Sequence, residues 1–499
     1  MDNQYDVKKQ HSKGKLHAIE RISLLLDENT FQEIGSHVHH SCTVFGMDQK
    51  ILPYDGVITG FGEVNGKPVA VYSQDFTIMG GTLGEMHGKK IARIMQLAID
   101  SKCPVIGIND SGGARIQEGI NALAGYGEIF RLNTIASGFI PQISIIVGPC
   151  AGGAVYSPGI TDFVFMVDSI SHMFVTGPNV VKKVLYQDID KEALGGSSMH
   201  ASISGVCHFG EPSEEACFKD VRTLLSYLPQ YWDEPRSFEK DGSKSKKGKS
   251  EEFAIPRVPS NPKISYDVRN TFNPIIDKDS FFEVSEAFAK NMVVGFGKIS
   301  GFTIGIVANQ TKHLAGVIDC DASDKASRFI RFCDAFNVPL VTFVDVPGFL
   351  PGLEQERKGI IRHGAKLLFA YAESTVPKVT IILRKAYGGA YIAMCSKHLG
   401  ADFVYSWDSG EIAVMGAEGA VEILSRSELQ DAPDRETMKK KLEQEYSDIF
   451  INPTIAARNG IIDEIIEPKD TREVIIKSMF LLQSKDQVNI KKKHGNIPL

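Results

Sequence analysis

The chain has 499 residues, 43% of them apolar, with 55 Lys and Arg against 61 Asp and Glu for a formal net charge of −6. That balance offers no general electrostatic attraction to nucleic acid or an anionic membrane surface, and no window reaches the roughly 18 to 20 unbroken apolar residues of a membrane span. The length exceeds what one hydrophobic core usually supports, so two domains are expected. The polar N-terminus lacks the apolar stretch of a signal peptide, which makes the cytoplasm the expected location.

In chain order, Leu16, Ile19, Ile22, Leu25 and Leu26 fall at helical spacing and predict an N-terminal helical arm over 14–35. His37, His39 and His40 follow in a short cluster without a matching carboxylate or cysteine set, which argues against a metal site. Glycine-broken β-rich runs between Tyr54 and Asp75 suggest a hairpin, and 84–101 reads as an amphipathic helix. Residues 105–109 are a continuous apolar run, the pattern of a buried strand. The run empties into Asp110-Ser111-Gly112-Gly113-Ala114 and a helical stretch at 118–136. A second strand, 143–147, leads into Cys150-Ala151-Gly152-Gly153-Ala154. Strands and helices alternating in this way predict an α/β layout with right-handed crossovers.

Residues 234–262 hold several prolines and a run of Gly, Ser and Lys at 241–250, a composition that cannot pack a core and marks a linker. The expected domains are therefore 1–240 and 263–499, with 241–262 as the linker. The second domain repeats the first: a strand at 338–345, a glycine turn, a helix near 357–374, a strand at 378–383, then Gly388-Gly389-Ala390. A helical stretch at 470–484 and the basic tail Lys491-Lys492-Lys493-His494 close the chain.

The repetition can be followed position by position. Gly60, Gly62, Gly66, Lys90, Arg93, Pro104, Asp110 and Gly113 recur 235 residues later as Gly295, Gly297, Gly301, Lys325, Arg328, Pro339, Asp345 and Gly348. The pairs Gly152-Gly153 and Gly388-Gly389 follow at an offset of 236.

A glycine after a buried strand lets backbone N–H groups face a cleft that a side chain would block. Two such groups from successive strand-to-helix turns can grip one oxygen that becomes negative during reaction, and helix N-termini add partial positive charge. In the first half, such a hole can be built from Gly113 and Ala114 with Gly152 and Gly153; in the second, from Gly348 and Phe349 with Gly389 and Ala390. Two matched holes suggest two similar carbonyl groups. A site of backbone donors suits a reaction whose substrate supplies the nucleophile, such as an enolate beside a thioester.

Other chemistries find little support. Neither G-x-G-x-x-G at the first turn nor a P-loop anywhere is present, Ser111 does not sit in G-x-S-x-G, and eight scattered cysteines form no Cys-x-x-Cys. Cys150 has no His near it in sequence and reads as a core residue.

The runs Gly14 to Asp27, Ser73 to Glu85, Asp110 to Gly119 and Cys150 to Pro158, with Asp345 to Gly352, Gly359 to Leu368, Arg384 to Tyr391 and Val414 to Ala420, resemble the carboxyltransferase subunit of biotin-dependent acyl-CoA carboxylases, transcarboxylases and sodium-pumping decarboxylases. The resemblance spans about residues 12–475. It implies two duplicated crotonase-type α/β domains built of β-β-α spiral repeats. The implied reaction moves CO2 between N1-carboxybiotin and the α-carbon of a short-chain acyl-CoA of the acetyl-, propionyl- or methylmalonyl-CoA type. It further implies that Gly113, Ala114, Gly152 and Gly153 hold the thioester enolate, while Gly348, Phe349, Gly389, Ala390 and Tyr391 face the biotin ureido oxygen. No metal is implied. The family also implies a homohexamer of two stacked trimers, with the active site shared between protomers.

No Met-Lys-Met biotinylation site is present, so biotin must arrive on another polypeptide, a biotin carboxyl carrier protein. Biotin carboxylase or decarboxylase membrane subunits are the expected further partners. Ile392 stands where many propionyl-CoA carboxylases have Asp, a departure that points toward the decarboxylase and transcarboxylase branches and marks Ile392 as a specificity position. Two other readings stay open: a crotonase-type hydratase or isomerase using Glu118 and Glu354 as acid and base, and a non-catalytic scaffold.

Overall fold

Asn65 and Gly66 both take left-handed backbone, φ +53° and +72°, and fold strand β2 (Val57–Val64) back onto β3 (Lys67–Gln74). This is the two-residue turn whose twist suits a hairpin. In this computed structural model, residues 7–235, 257–487 and 489–499 are described. They fall into two units that divide between Glu234 and Pro235. The lysine-bearing run at 241–250 lies outside the described residues.

In the first unit the hairpin heads a sheet of order β1-β2-β3-β4-β5-β6-β8. Its other strands are β1 (Gln32–Glu33), β4 (Val105–Ser111), β5 (Gln142–Ala151), β6 (Phe163–Val167), β7 (His172–Phe174) and β8 (Phe209–Glu211). Pairing is antiparallel from β1 to β3 and parallel from β3 to β8. The helix Glu85–Ser101 connects β3 to β4, and Ile120–Ala136 connects β4 to β5. Every residue of β4 is buried, as its unbroken apolar run requires of a covered parallel strand. Ile91, Ile94, Met95 and Ala98 form the inward stripe of the first helix. Each large side chain of that stripe contributes about 1.5–3 kcal/mol by leaving water.

The second unit repeats this order as β16-β14-β13-β12-β11-β10-β9, with β15 on β13. The ranges are β9 (Phe282–Val284), β10 (Met292–Ile299), β11 (Phe302–Asn309), β12 (Leu340–Val346), β13 (Lys378–Tyr387), β14 (Phe403–Trp407), β15 (Glu411–Ala413) and β16 (Glu464–Ile466).

One irregularity recurs in both units and positions the site. β4 and β5 run in register to Asn109 opposite Ile146, then slip, so that Ser111 faces Cys150. β12 and β13 do the same between Val344–Ile382 and Val346–Ala386. Beyond the slip the strand ends pair again outside the main sheet: Ala114 with Leu83, and Cys150 with Met173; Phe349 with Ile318, and Ala386 with Ile412. These secondary pairings turn each unit into the β-β-α spiral of a crotonase-type domain.

The expected N-terminal arm is shorter and better anchored than its periodicity predicts. The helix covers only Ala18–Leu25, started by a capping box between His17 and Glu20 and stopped at Leu26 by extended backbone. Asp27 then accepts the N–H groups of Asn65 and Gly66 at the hairpin turn, which draws the chain out of the helix. Arg21, Ile22 and Leu25 are buried, so the segment is docked on the unit. The helix expected near 357–374 breaks at Gly359, φ +87°, into Leu353–Lys358 and Ile360–Glu373.

Candidate active site

The first donor turn is set by hydrogen bonds on both sides of Ala114. The Gly113 carbonyl accepts the Leu83 N–H at 2.9 Å, and the Arg115 N–H donates to the Leu83 carbonyl at 2.9 Å. Alternation along this extended stretch aims the Ala114 N–H the other way, where no acceptor among the described residues takes it. Gly113 has φ +101°, and its own N–H donates to Ser111 Oγ at 3.1 Å. Ala114 is therefore the open donor of this turn, and Gly113 the residue that permits its shape.

The neighbouring turn follows β5. Gly152, φ +64°, opens a short helical turn, Gly152–Val155, whose first N–H groups precede any internal bond. The Gly152 and Gly153 amides are thus available. The two turns are close: a Cβ built on Gly113 would lie 2.9 Å from the Ala151 carbonyl oxygen.

The second unit matches this arrangement. The Gly348 carbonyl accepts the Ile318 N–H at 3.0 Å and the Leu350 N–H donates to the Ile318 carbonyl at 2.8 Å, which leaves the Phe349 N–H aimed outward. Gly388, φ +58°, opens the helix Gly388–Ala393, with Gly389 and Ala390 in its first turn, ahead of its first internal bond. Nothing lies within 4 Å of a Cβ built on Gly389, so the backbone there borders open space. Tyr391 is buried, its hydroxyl has no hydrogen-bond partner among the described residues, and burial pushes its pKa up to about 12. Ile392, one residue on, is exposed.

Behind each turn stands a fully buried carboxylate. Asp110 Oδ2 accepts from Lys15 Nζ at 2.6 Å, Arg21 Nη1 at 3.0 Å and Gln10 Nε2 at 3.2 Å. Asp345 Oδ2 accepts from Tyr266 Oη at 2.9 Å and Arg384 Nε at 3.0 Å. Burial raises the Asp345 pKa, and the Arg384 guanidinium opposes that rise.

The other side chains with reactive groups are mostly committed elsewhere. Glu118 is pinned by Arg115 Nη1 at 2.7 Å and accepts the Glu85 N–H at 2.6 Å, so it caps the helix Glu85–Ser101, whose own N-cap is glycine. Glu354 sits in the first turn of an exposed helix. Burial pushes the Cys150 thiol up to about 12, far from a reactive thiolate. His39 and His40 bond the carbonyls of Leu52 and Lys50, and no group of three metal-ligating side chains occurs among the described residues. No helix among those residues is long and apolar enough to cross a membrane.

Four residues that shape the site were missed in the sequence: Arg21, Tyr126, Gly148 and Arg384. Tyr126 packs under Gly153, 3.2 Å from a Cβ built there. Gly148 and Arg384 occupy the same place in the two repeats at the 236-residue offset, and that mismatch between otherwise matched halves was the available signal.

A model of the family described as carboxyl transferase domain matches residues 9–497. The chain is 54% identical over 492 residues to the propionyl-CoA carboxylase carboxyltransferase subunit of Haloferax mediterranei, covering 98% of this chain and 95% of that one. It is 50% identical over 499 residues to methylmalonyl-CoA decarboxylase subunit alpha of Propionigenium modestum, covering 99% and 95%. A solved structure of transcarboxylase 12S, described as a hexamer with methylmalonyl-coenzyme A and methylmalonic acid bound, superposes with a TM-score of 0.93 at 47% identity, over 99% of this chain and 94% of that chain.

Proposed function

From the premise that the chain belongs to the carboxyl transferase domain family and is a carboxyltransferase, we propose that its two donor turns are the two oxyanion holes of one carboxyl transfer between biotin and the α-carbon of propionyl-CoA or methylmalonyl-CoA. The observation that carries this is the pair of outward amides, Ala114 in the first unit and Phe349 in the second, held by the same hydrogen-bond pattern, each beside a glycine turn whose first amides precede any internal bond. The choice of acyl group rests on the relatives, whose names pair with propionyl-CoA or methylmalonyl-CoA.

In this reading the first turn pair holds the thioester oxygen. Two fixed N–H groups stabilise it most when removal or addition of the carboxyl group leaves an enolate, because the donors need not reorganise as charge develops. The second pair accepts the biotin ureido oxygen. Biotin supplies or receives the carboxyl group and comes on a separate carrier protein. The residues fit it: Gly389 leaves room for a ring to approach the backbone, and the Tyr391 hydroxyl offers an unused, un-ionised donor. Ile392, exposed beside it, we propose as the specificity position. Residues up to 240 serve the acyl-CoA side and those from 263 the biotin side. The proposed assembly is a homohexamer in the cytoplasm, with a biotin carboxylase or decarboxylase membrane subunit as partner.

Purified protein given methylmalonyl-CoA and free biotin should release propionyl-CoA slowly, and omission of biotin should stop it. Inertness toward every short malonyl-type thioester would overturn the reading.

A further inference from the structure

The run Gly14 to Asp27 contributes nothing to the donor turns directly, yet it delivers a fully buried guanidinium behind them. Arg21 Nη1 donates to Asp110 Oδ2 at 3.0 Å and Nη2 to the Val147 carbonyl at 3.1 Å, while Nε donates to Glu214 Oε2 at 2.6 Å. Asp110 lies on β4 just before the Ala114 turn. Val147 lies on β5 just past the last in-register pair, on the way to Gly152 and Gly153. One side chain therefore spans the two strands where their ladder has slipped and backbone pairing no longer fixes their spacing.

The second unit meets the same demand from the opposite side. Arg384 stands on β13 at the position of Gly148; it donates to Asp345 and, through Nη1, to the carbonyls of Asn261 and Ile264 at 3.0 Å each. There the strand supplies the cation and the leading segment the carbonyls; in the first unit the leading segment supplies the cation and the strand a carbonyl. Gly148 makes room for this: a Cβ built there would fall 1.9 Å from Asp110 Oδ1. Two different constructions for one link indicate that the link itself is needed.

We propose that Arg21 is a positioning residue for the first oxyanion hole, holding the Ala114 and Gly153 donors at their working separation. The inference rests on the reading of those turns as a hole. In Arg21→Lys the charge opposite Asp110 remains, but a single ammonium cannot also span Val147 and Glu214. The expected result, in methylmalonyl-CoA decarboxylation with free biotin, is a fall in kcat of about tenfold or more with KM for acyl-CoA and for biotin held within about twofold, because misplacement acts on the transition state. The assembled species should keep its size. Wild-type kcat, or a loss confined to KM, overturns the proposal. If Arg21→Lys does not fold, the triple variant Arg21→Met with Asp110→Asn and Glu214→Gln removes the guanidinium and both buried carboxylates it meets; the same kcat loss supports the proposal and wild-type kcat overturns it. Gly153→Val is assayed beside them. If it keeps activity the hole reading fails, whereas its inactivity together with a fully active Arg21→Lys defeats only the positioning role.

Discussion

The ring of Tyr126 lies directly under Gly153, its Cδ2 3.2 Å from the place a Cβ would take. The matching glycine of the other unit, Gly389, has nothing within 4 Å. A valine should therefore silence both turns but disturb the fold at only one. Gly389→Val and Gly153→Val are each expected to lose about 10²–10³-fold in kcat, the usual consequence of losing an oxyanion donor. Only Gly153→Val should unfold more easily, by about 1–3 kcal/mol, as overpacking against a ring does. Denaturant titration beside steady-state kinetics checks both, and an active Gly389→Val removes the second turn from the mechanism.

Tyr391 offers a test of the biotin side. Its buried hydroxyl has no partner among the described residues, so Tyr391→Phe should leave stability unchanged or raise it by up to about 1 kcal/mol. If the hydroxyl donates to biotin, KM for free biotin should rise about 3- to 10-fold while KM for acyl-CoA holds. An unmoved biotin KM would show that this hydroxyl faces something else.

Glu211, at the sheet edge, predicts a pH response of the fold. Burial pushes its pKa up to about 7, with like charge from Asp220 and Asp168 adding to the rise. An unfolded Glu releases its proton near 4.5, so between that value and about 7 the folded chain binds the extra proton. Stability should therefore fall as pH rises through this window. Since the carboxyl is only partly shielded, we expect about 1–2 kcal/mol of that slope to vanish in Glu211→Gln. Thermal melts near pH 5 and pH 8 measure it; parallel slopes in the two proteins would refute it.

Glu118 separates carboxyl transfer from hydration. Both its oxygens are committed, to Arg115 and to the Glu85 N–H, so Glu118 is not a free base. Crotonyl-CoA should pass through unhydrated at any pH. Glu118→Ala should cost about 3–5 kcal/mol, because Arg115 and its other partner Asp55 are buried. Measurable hydratase turnover would restore the acid–base reading.

Much of this was legible in the chain because the repeat preserves what the backbone demands. Gly113 and Gly348 hold dihedrals that side chains resist, so identity survived at those positions. What a constant offset cannot display is compensation, where one half replaces a residue because a distant segment does its work. Gly148 against Arg384 is such a case: the glycine makes sense only once Arg21, 127 residues earlier, is seen beside Asp110. Tyr126 was hidden for a related reason. Its helix reads only as a connecting helical stretch, and nothing in a linear spacing says which inward side chain will underlie a turn. The arm over 14–35 was overextended because Leu25 and Leu26 continue the apolar rhythm, while the stop comes from Asp27 binding a hairpin formed by residues 65 and 66.

The open amides at these turns belong to the peptide chain itself, and that has a bearing on which way the reaction runs. A fixed dipole that steadies an enolate does so whether the enolate is about to gain a carboxyl group or has just lost one. Nothing at these turns can favour one direction, since a catalyst lowers a barrier equally from its two sides. The direction must then be written elsewhere, in whatever keeps the carrier charged or drains it. Relatives named for carboxylation, decarboxylation and transfer can accordingly share about half of their residues with this chain.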